Sequence, residues 1–296
     1  NGTRAMIVDL KKTNPTGWEK DKGPVLKNTT DAVVYELHVR DASIAANSGI
    51  QHKGKFLGLT ETGTKNNEGL STGLDHLTDL GVTHIHLLPF FDYYSDEDAK
   101  NFKENYNWGY NPQNYNVPEG TYATDAANGN VRIKELKQLV LAFHKKGLGV
   151  VMDVVYNHTG QTDHSNFNQL VPGYYYRHTS SGKFSDATAC GNETASEKKM
   201  MQKFMIESLV YWVKEYHIDG FRFDLMGVHD IETMNLISAA LHKINPGILL
   251  YGEGWTAGSS PLPDSLRALK KNVSALNGIA VFSDDIRDGI KGSWSD

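Results

Sequence analysis

The 296 residues predict an α/β fold of the (β/α)8 TIM-barrel type, truncated after about six strands. Short apolar strands alternate with amphipathic helices, and such a chain builds parallel sheet with helical crossovers. The segments after strands are long and those before them short. Irregular backbone therefore gathers at the carboxyl ends of the strands, the catalytic face of a barrel. Alternation alone also admits an open doubly wound sheet. No GxGxxG or P-loop follows the first strand, so dinucleotide and phosphate readings lose their main support.

The first strand is expected over 33–39 (VVYELHV), rich in β-branched residues and partly alternating. A helix follows over 70–80, then a strand over 84–88 closed by Pro89. The helix over 131–146 stops at Gly147, suited to a left-handed cap. Strand 148–155, helix 196–216 and strand 218–223 come next. A helix over 231–243 is ended by Pro246, followed by strand 248–251, a short helix at 263–271 and a sixth strand at 279–282. Residues 1–30 are expected as a linker or edge segment from an absent N-terminal module, and 31–296 as the incomplete barrel.

Composition bounds the function. Hydrophobic residues are 39% and charged residues 22%, which suits a folded globular chain. Net charge is −5 with no dense basic block, so a nucleic-acid partner is not expected. Cys190 is the only cysteine, which excludes an intrachain disulfide and a cysteine-based metal centre. No apolar run reaches membrane-span length, and the polar start at Asn1 reads as the middle of a longer protein, so any targeting segment is expected outside these residues.

The chemistry-bearing side chains lie just past strand ends. DVVYNHT offers Asp153, Asn157 and His158; DGFRFD offers Arg222 and Asp224; YGEGW offers Glu253. Asp224 and Glu253 follow successive strands, so their carboxyl groups are expected to face each other across the barrel mouth. Adjacent strands are about 4.8 Å apart, and a retaining glycosidase needs its two carboxyl groups about 5–5.5 Å apart. Arg222 is in phase with Asp224 and should hold it ionised. Glu253 should stay protonated, raised by the neighbouring anion and partial burial. Each residue also has a structural alternative: Asp224 as a helix cap, His158 as a satisfied core histidine. The joint placement at three strand tips favours chemistry.

DVVYNH, GFRFD and GEGW resemble the first three signature regions of the α-amylase superfamily of glycoside hydrolases. The heptapeptide YNWGYNP, residues 106–112, resembles the signature of type I pullulanases, which cut α-1,6 branch links. The resemblance spans about residues 6–292. It implies Asp224 as nucleophile and Glu253 as acid/base, acting on pullulan, starch or glycogen-derived α-glucans. It implies His158 and Arg222 at the cleavage subsite, Tyr110 as an aromatic platform, and Trp108 and Trp255 along the groove. Asp153 would brace the barrel mouth with Asn157, which in related amylases helps bind calcium. No cofactor is required by the resemblance, and a structural calcium is allowed.

The superfamily's fourth region, a His-Asp pair supplying a third carboxylate, has no counterpart here. His229–Asp230 reads instead as the cap of the 231–243 helix. N-terminal glucan-binding modules and a C-terminal barrel half are therefore expected elsewhere, and the 296 residues alone are expected to be nearly inactive. The alternatives are an isoamylase-like or α-1,4-acting relative, a non-catalytic glucan-binding barrel, and more remotely a phosphate-binding barrel. Location leans to the cell envelope or outside, with the cytoplasm open.

Overall fold

The computed structural model describes residues 5–95 and 106–293. Six parallel strands form one curled sheet whose spatial order follows the chain. They are β1 (Val34–Leu37), β2 (His84–Leu87), β5 (Gly149–Val154), β6 (Gly220–Phe223), β7 (Leu249–Gly252) and β8 (Ala280–Val281). Each neighbour pair is parallel and each connection carries a crossover, which is the half-barrel expected from the alternation. The strands β2, β5 and β6 are buried at every residue, whereas β1 and β8, hydrogen-bonded on one side only, are largely exposed.

The helices are α1 (Gly73–Asp79), α2 (Gly129–Lys145), α3 (Asn166–Leu170), α4 (Lys199–Tyr216), α5 (Ile231–Ile244) and α6 (Asp284–Lys291). Their ends follow capping chemistry. The Asp230 side chain accepts from Thr233 N at 2.8 Å and opens α5, as the His-Asp reading anticipated. At the end of α4, His217 takes φ 55°, and Gly147 takes φ 75° just past α2. The apolar face of α4 buries Met205, Leu209, Trp212 and Tyr216 against the sheet. Trp212 is fully buried and donates its indole N–H to Tyr115 O at 3.0 Å.

Three differences from the sequence reading have local causes. The long segment after β2 is not all loop: β3 (Phe91–Tyr93) and β4 (Pro112–Pro118) make an irregular antiparallel pair, anchored by buried Phe91 and Tyr115. The expected helix at 263–271 is two 3-10 turns, Asp264–Leu266 and Lys270–Ala275. Ala268 N bonds His229 O and Lys270 N bonds Gly254 O, so neighbouring loops claim the donors a helix would use. Residues 284–291, beyond the last element that the pattern predicts, form α6, capped by Ser283 with Asp284 and Asp285 in its first turn.

The N-terminal segment packs on the barrel's lower end. Thr13 and Trp18 are buried, and Lys137 Nζ on α2 is caged by Leu10 O, Thr13 Oγ1, Asn14 Oδ1 and Glu215.

Candidate active site

Strand register places the carboxylates. Phe223 pairs with Gly252, so Asp224 and Glu253 are the next residues on adjacent strands. Both extend the ladder: Asp224 N bonds Val154 O at 3.0 Å and Glu253 N bonds Phe223 O at 3.1 Å. The glycines flanking Glu253 are required by packing. A Cβ at Gly252 would lie 2.6 Å from Phe223 O, and one at Gly254 would lie 2.7 Å from Lys270 N. Leu225, directly after Asp224, has φ 38°, an uncommon conformation for a branched residue. That turn aims its N–H at Glu253 Oε2, 2.8 Å away.

Arg222 is the hub. Its Nη1 lies 3.0 Å from Asp153 Oδ1 and 2.8 Å from Asp224 Oδ1, and its Nη2 lies 2.8 Å from Glu253 Oε1. One planar guanidinium therefore spans three carboxylates, which its fork geometry permits and a lysine's would not. Burial opposes its charge, but Asp153, Asp224, Tyr110 and Glu253 outweigh burial and hold it firmly protonated.

Asp224 is raised to about 6. Burial is the largest cause and Asp153 adds to it; Arg222 and the Asn157 bond pull the other way. Arg222 thus favours the ionised form of Asp224, as expected, but the low-dielectric site and a second anion exceed the cation's effect on the pKa. Glu253 Oε1 lies 2.8 Å from Arg222 Nη2 and its Oε2 accepts from Leu225 N, and the side chain remains partly exposed at the mouth.

Asn157 Nδ2 donates to Asp224 O at 2.7 Å and to Asp224 Oδ2 at 2.8 Å. Its Oδ1 lies 2.5 Å from His158 Nδ1, and His158 Nε2 lies 2.9 Å from Tyr110 O. Burial lowers His158 and outweighs the raising effects of the Tyr110 carbonyl and the Asp186 charge, bringing it to about 4. Among the described residues no group of three or more His, Cys, Asp or Glu converges as metal ligands.

Tyr110 is half-buried, donates to Asp153 Oδ2 at 2.8 Å, and lies with its ring 5.9 Å from the Arg222 guanidinium carbon. Burial and Asp153 push its phenol well above the ordinary range, so it remains a donor. Asp153 is wholly buried and accepts from Tyr110, Arg222 and His86. Asp153, Asn157, His158, Arg222, Asp224, Glu253 and Tyr110 are thus one connected cluster. The two tryptophans lie outside its hydrogen bonds. Trp108 is exposed and donates to Tyr106 OH at 2.6 Å, while Trp255 tilts over Phe282 with centroids 6.3 Å apart.

Sequence reasoning passed over His86, Glu36, Tyr251 and Phe282. His86 reaches Asp153; Glu36 reaches His86; Tyr251 meets the His86 ring edge-on at 5.9 Å; Phe282 lies 5.9 Å from the Arg222 guanidinium. Polar residues inside otherwise apolar strands, as in YEL and HIHL, were the available signal.

Residues 55–178 match the model of the alpha amylase catalytic domain. The chain is 42% identical to a pullulanase of Bacillus subtilis (strain 168), over 99% of this chain and 40% of that protein. It is 32% identical to the chloroplastic isoamylase SU1 of Zea mays, over 73% of this chain and 26% of that one. Among solved structures, the pullulanase of Paenibacillus barengoltzii in complex with maltohexaose and α-cyclodextrin superposes with a TM-score of 0.96 at 56% identity, covering 99% of this chain and 46% of that one. The chain therefore spans less than half the length of these relatives.

Proposed function

This chain belongs to the α-amylase superfamily of glycoside hydrolases, in its pullulanase branch, and from that premise we propose that its site cleaves α-1,6-glucosidic links in pullulan, starch or glycogen-derived glucans with retention of configuration. The observation that carries the reading is the Arg222 guanidinium, which spans Asp224 and Glu253 at successive strand ends.

Asp224 attacks the anomeric carbon. A group at about 6 is mainly ionised at neutral pH, and Arg222 and Asn157 leave it oriented toward the mouth. As the glycosidic bond breaks, Glu253 gives a proton to the departing oxygen, having first exchanged its contacts with Arg222 and Leu225 for the substrate. Water, deprotonated by Glu253, then hydrolyses the Asp224 ester. His158 and Tyr110 are the proposed walls of the cleavage subsite, with Trp108 and Trp255 along the groove. The maltohexaose and α-cyclodextrin in the similar Paenibacillus structure support a glucan, and the heptapeptide at 106–112 supports the α-1,6 bond.

The third carboxylate implied by the family has no counterpart in these residues, and we propose that they alone are inactive or nearly so on the polymer. Similarity to the maize isoamylase favours a second reading, an isoamylase-like preference. Initial rates on pullulan and on linear amylose at high protein concentration test both: pullulan should be cleaved faster, and faster amylose cleavage overturns the α-1,6 assignment. A maltotriosyl fluoride, whose leaving group needs no proton, should release fluoride faster than pullulan yields reducing ends.

A further inference from the structure

Asp153, His86 and the exposed Glu36 lie in series on neighbouring strands, leading from the site toward the sheet edge. His86 on β2 is buried, with Nε2 3.1 Å from Asp153 Oδ2 and Nδ1 3.4 Å from Glu36 Oε2. Tyr251 makes a T-shaped contact with its ring at 5.9 Å and 86°. A core histidine with no further task needs only local partners, as His242 has in Ser238 and Ile248 O. His86 instead bonds a fully buried carboxylate that itself holds Tyr110 and Arg222.

We infer that His86 is a positioning residue for this site: its Nε2–H occupies Asp153 Oδ2, so that Arg222 can engage only Oδ1 of Asp153 and has its remaining N–H groups free for Asp224 and Glu253. The reasoning is competition. A guanidinium pairs best with one carboxylate through two parallel bonds. With His86 absent, Oδ2 of Asp153 has Tyr110 as its sole donor, and Arg222 is drawn into that bidentate arrangement, away from the nucleophile. This deepens the proposed function and rests on its assignment of Asp224.

The test uses the full 296-residue chain. His86→Gln places an amide N–H near the position of Nε2, whereas His86→Met fills the volume without a donor and His86→Asn is too short to reach; either of the last two suffices if the other fails to fold. With 15N-labelled arginine, the Arg222 side-chain N–H resonances should shift in H86M and H86N and return toward the wild-type positions in H86Q. This readout needs no turnover. Fluoride release from maltotriosyl fluoride should lose about ten- to a hundredfold in kcat in H86M, as expected for a displaced catalytic contact, with KM within about twofold and recovery in H86Q. Arg222 resonances unchanged in H86M, or H86Q as impaired as H86M, overturns the inference. Asp224→Asn separates the two claims: fluoride release that survives in D224N defeats the nucleophile assignment itself, whereas a dead D224N beside a fully active H86M defeats only the role of His86.

Discussion

The buried carboxylate–imidazole–carboxylate bridge beneath the barrel should make stability depend on pH through one residue. His144, near the end of α2, lies with Nδ1 2.8 Å from Asp21 Oδ2 and Nε2 2.8 Å from Asp219 Oδ2. Asp21 also takes His217 Nδ1 at 2.8 Å, with Trp18 stacked on that ring at 4.0 Å, and Asp219 also accepts from Val150 N. The bridge thus ties the N-terminal segment to α2, α4 and the foot of β6. Burial lowers His144, but bonds to Asp21 and Asp219 outweigh it and raise the ring from 6.5 to about 9. For Asp21, burial raises the carboxyl, but His144 and His217 outweigh it and bring it from 3.8 to about 2.

The signs then follow. A raised histidine contributes fully below its unfolded value of 6.5 and loses that contribution as pH rises through about 9. A depressed aspartate contributes above 3.8 and loses its contribution as pH falls through about 2. The bridge is at full strength between about 4 and 6.5. At about 1.4 kcal/mol per tenfold, the His144 shift is worth on the order of 3 kcal/mol. Urea unfolding followed by tryptophan fluorescence should therefore show the wild type losing stability of that order between pH 6 and pH 9.5. His144→Gln removes the cation that bridges the two carboxylates, leaving Asp21 with His217 alone, should cost about 3–5 kcal/mol at pH 6, and should flatten the alkaline slope. An H144Q protein with the wild-type slope, or within about 1 kcal/mol of wild type at pH 6, refutes the bridge.

Fluoride release from maltotriosyl fluoride should fall as pH drops through about 6, because protonation removes the Asp224 nucleophile; a flat rate down to pH 4.5 would contradict this. Asn157→Ala removes a bond that lowers Asp224, so the acid limb of the same pH–rate profile should move to higher pH. Arg222→Lys keeps a positive charge but loses the fork, and the fluoride-release rate should drop by about a hundredfold or more, with a near-normal rate indicating that charge alone suffices. Trp212→Ala empties a fully buried site and breaks the bond to Tyr115 O; calorimetry or urea unfolding should show a loss of about 3–5 kcal/mol.

Much of the site was readable without coordinates because strand ends impose order on sequence. Asp153, Arg222, Asp224 and Glu253 stand at or just past the tips of apolar runs, and parallel neighbours with a fixed register bring such positions together. The cap role of Asp230 was equally legible, since an N-cap depends on only four consecutive residues. Pattern failed where backbone donors were claimed from outside the segment, as at 263–271, and where a pair of short strands was held by aromatic packing rather than alternation, as at β3 and β4.

Sequence by itself determined which residues reach the barrel mouth, because strand direction and chain order are local properties. Tertiary structure alone decided their ionisation and their company. Asp224 is raised rather than depressed because burial and Asp153 act together against Arg222. His86 enters the site through Asp153, a partner 67 residues away in the chain. Desolvation and distant partners are summed over the whole fold, so no window of sequence contains them.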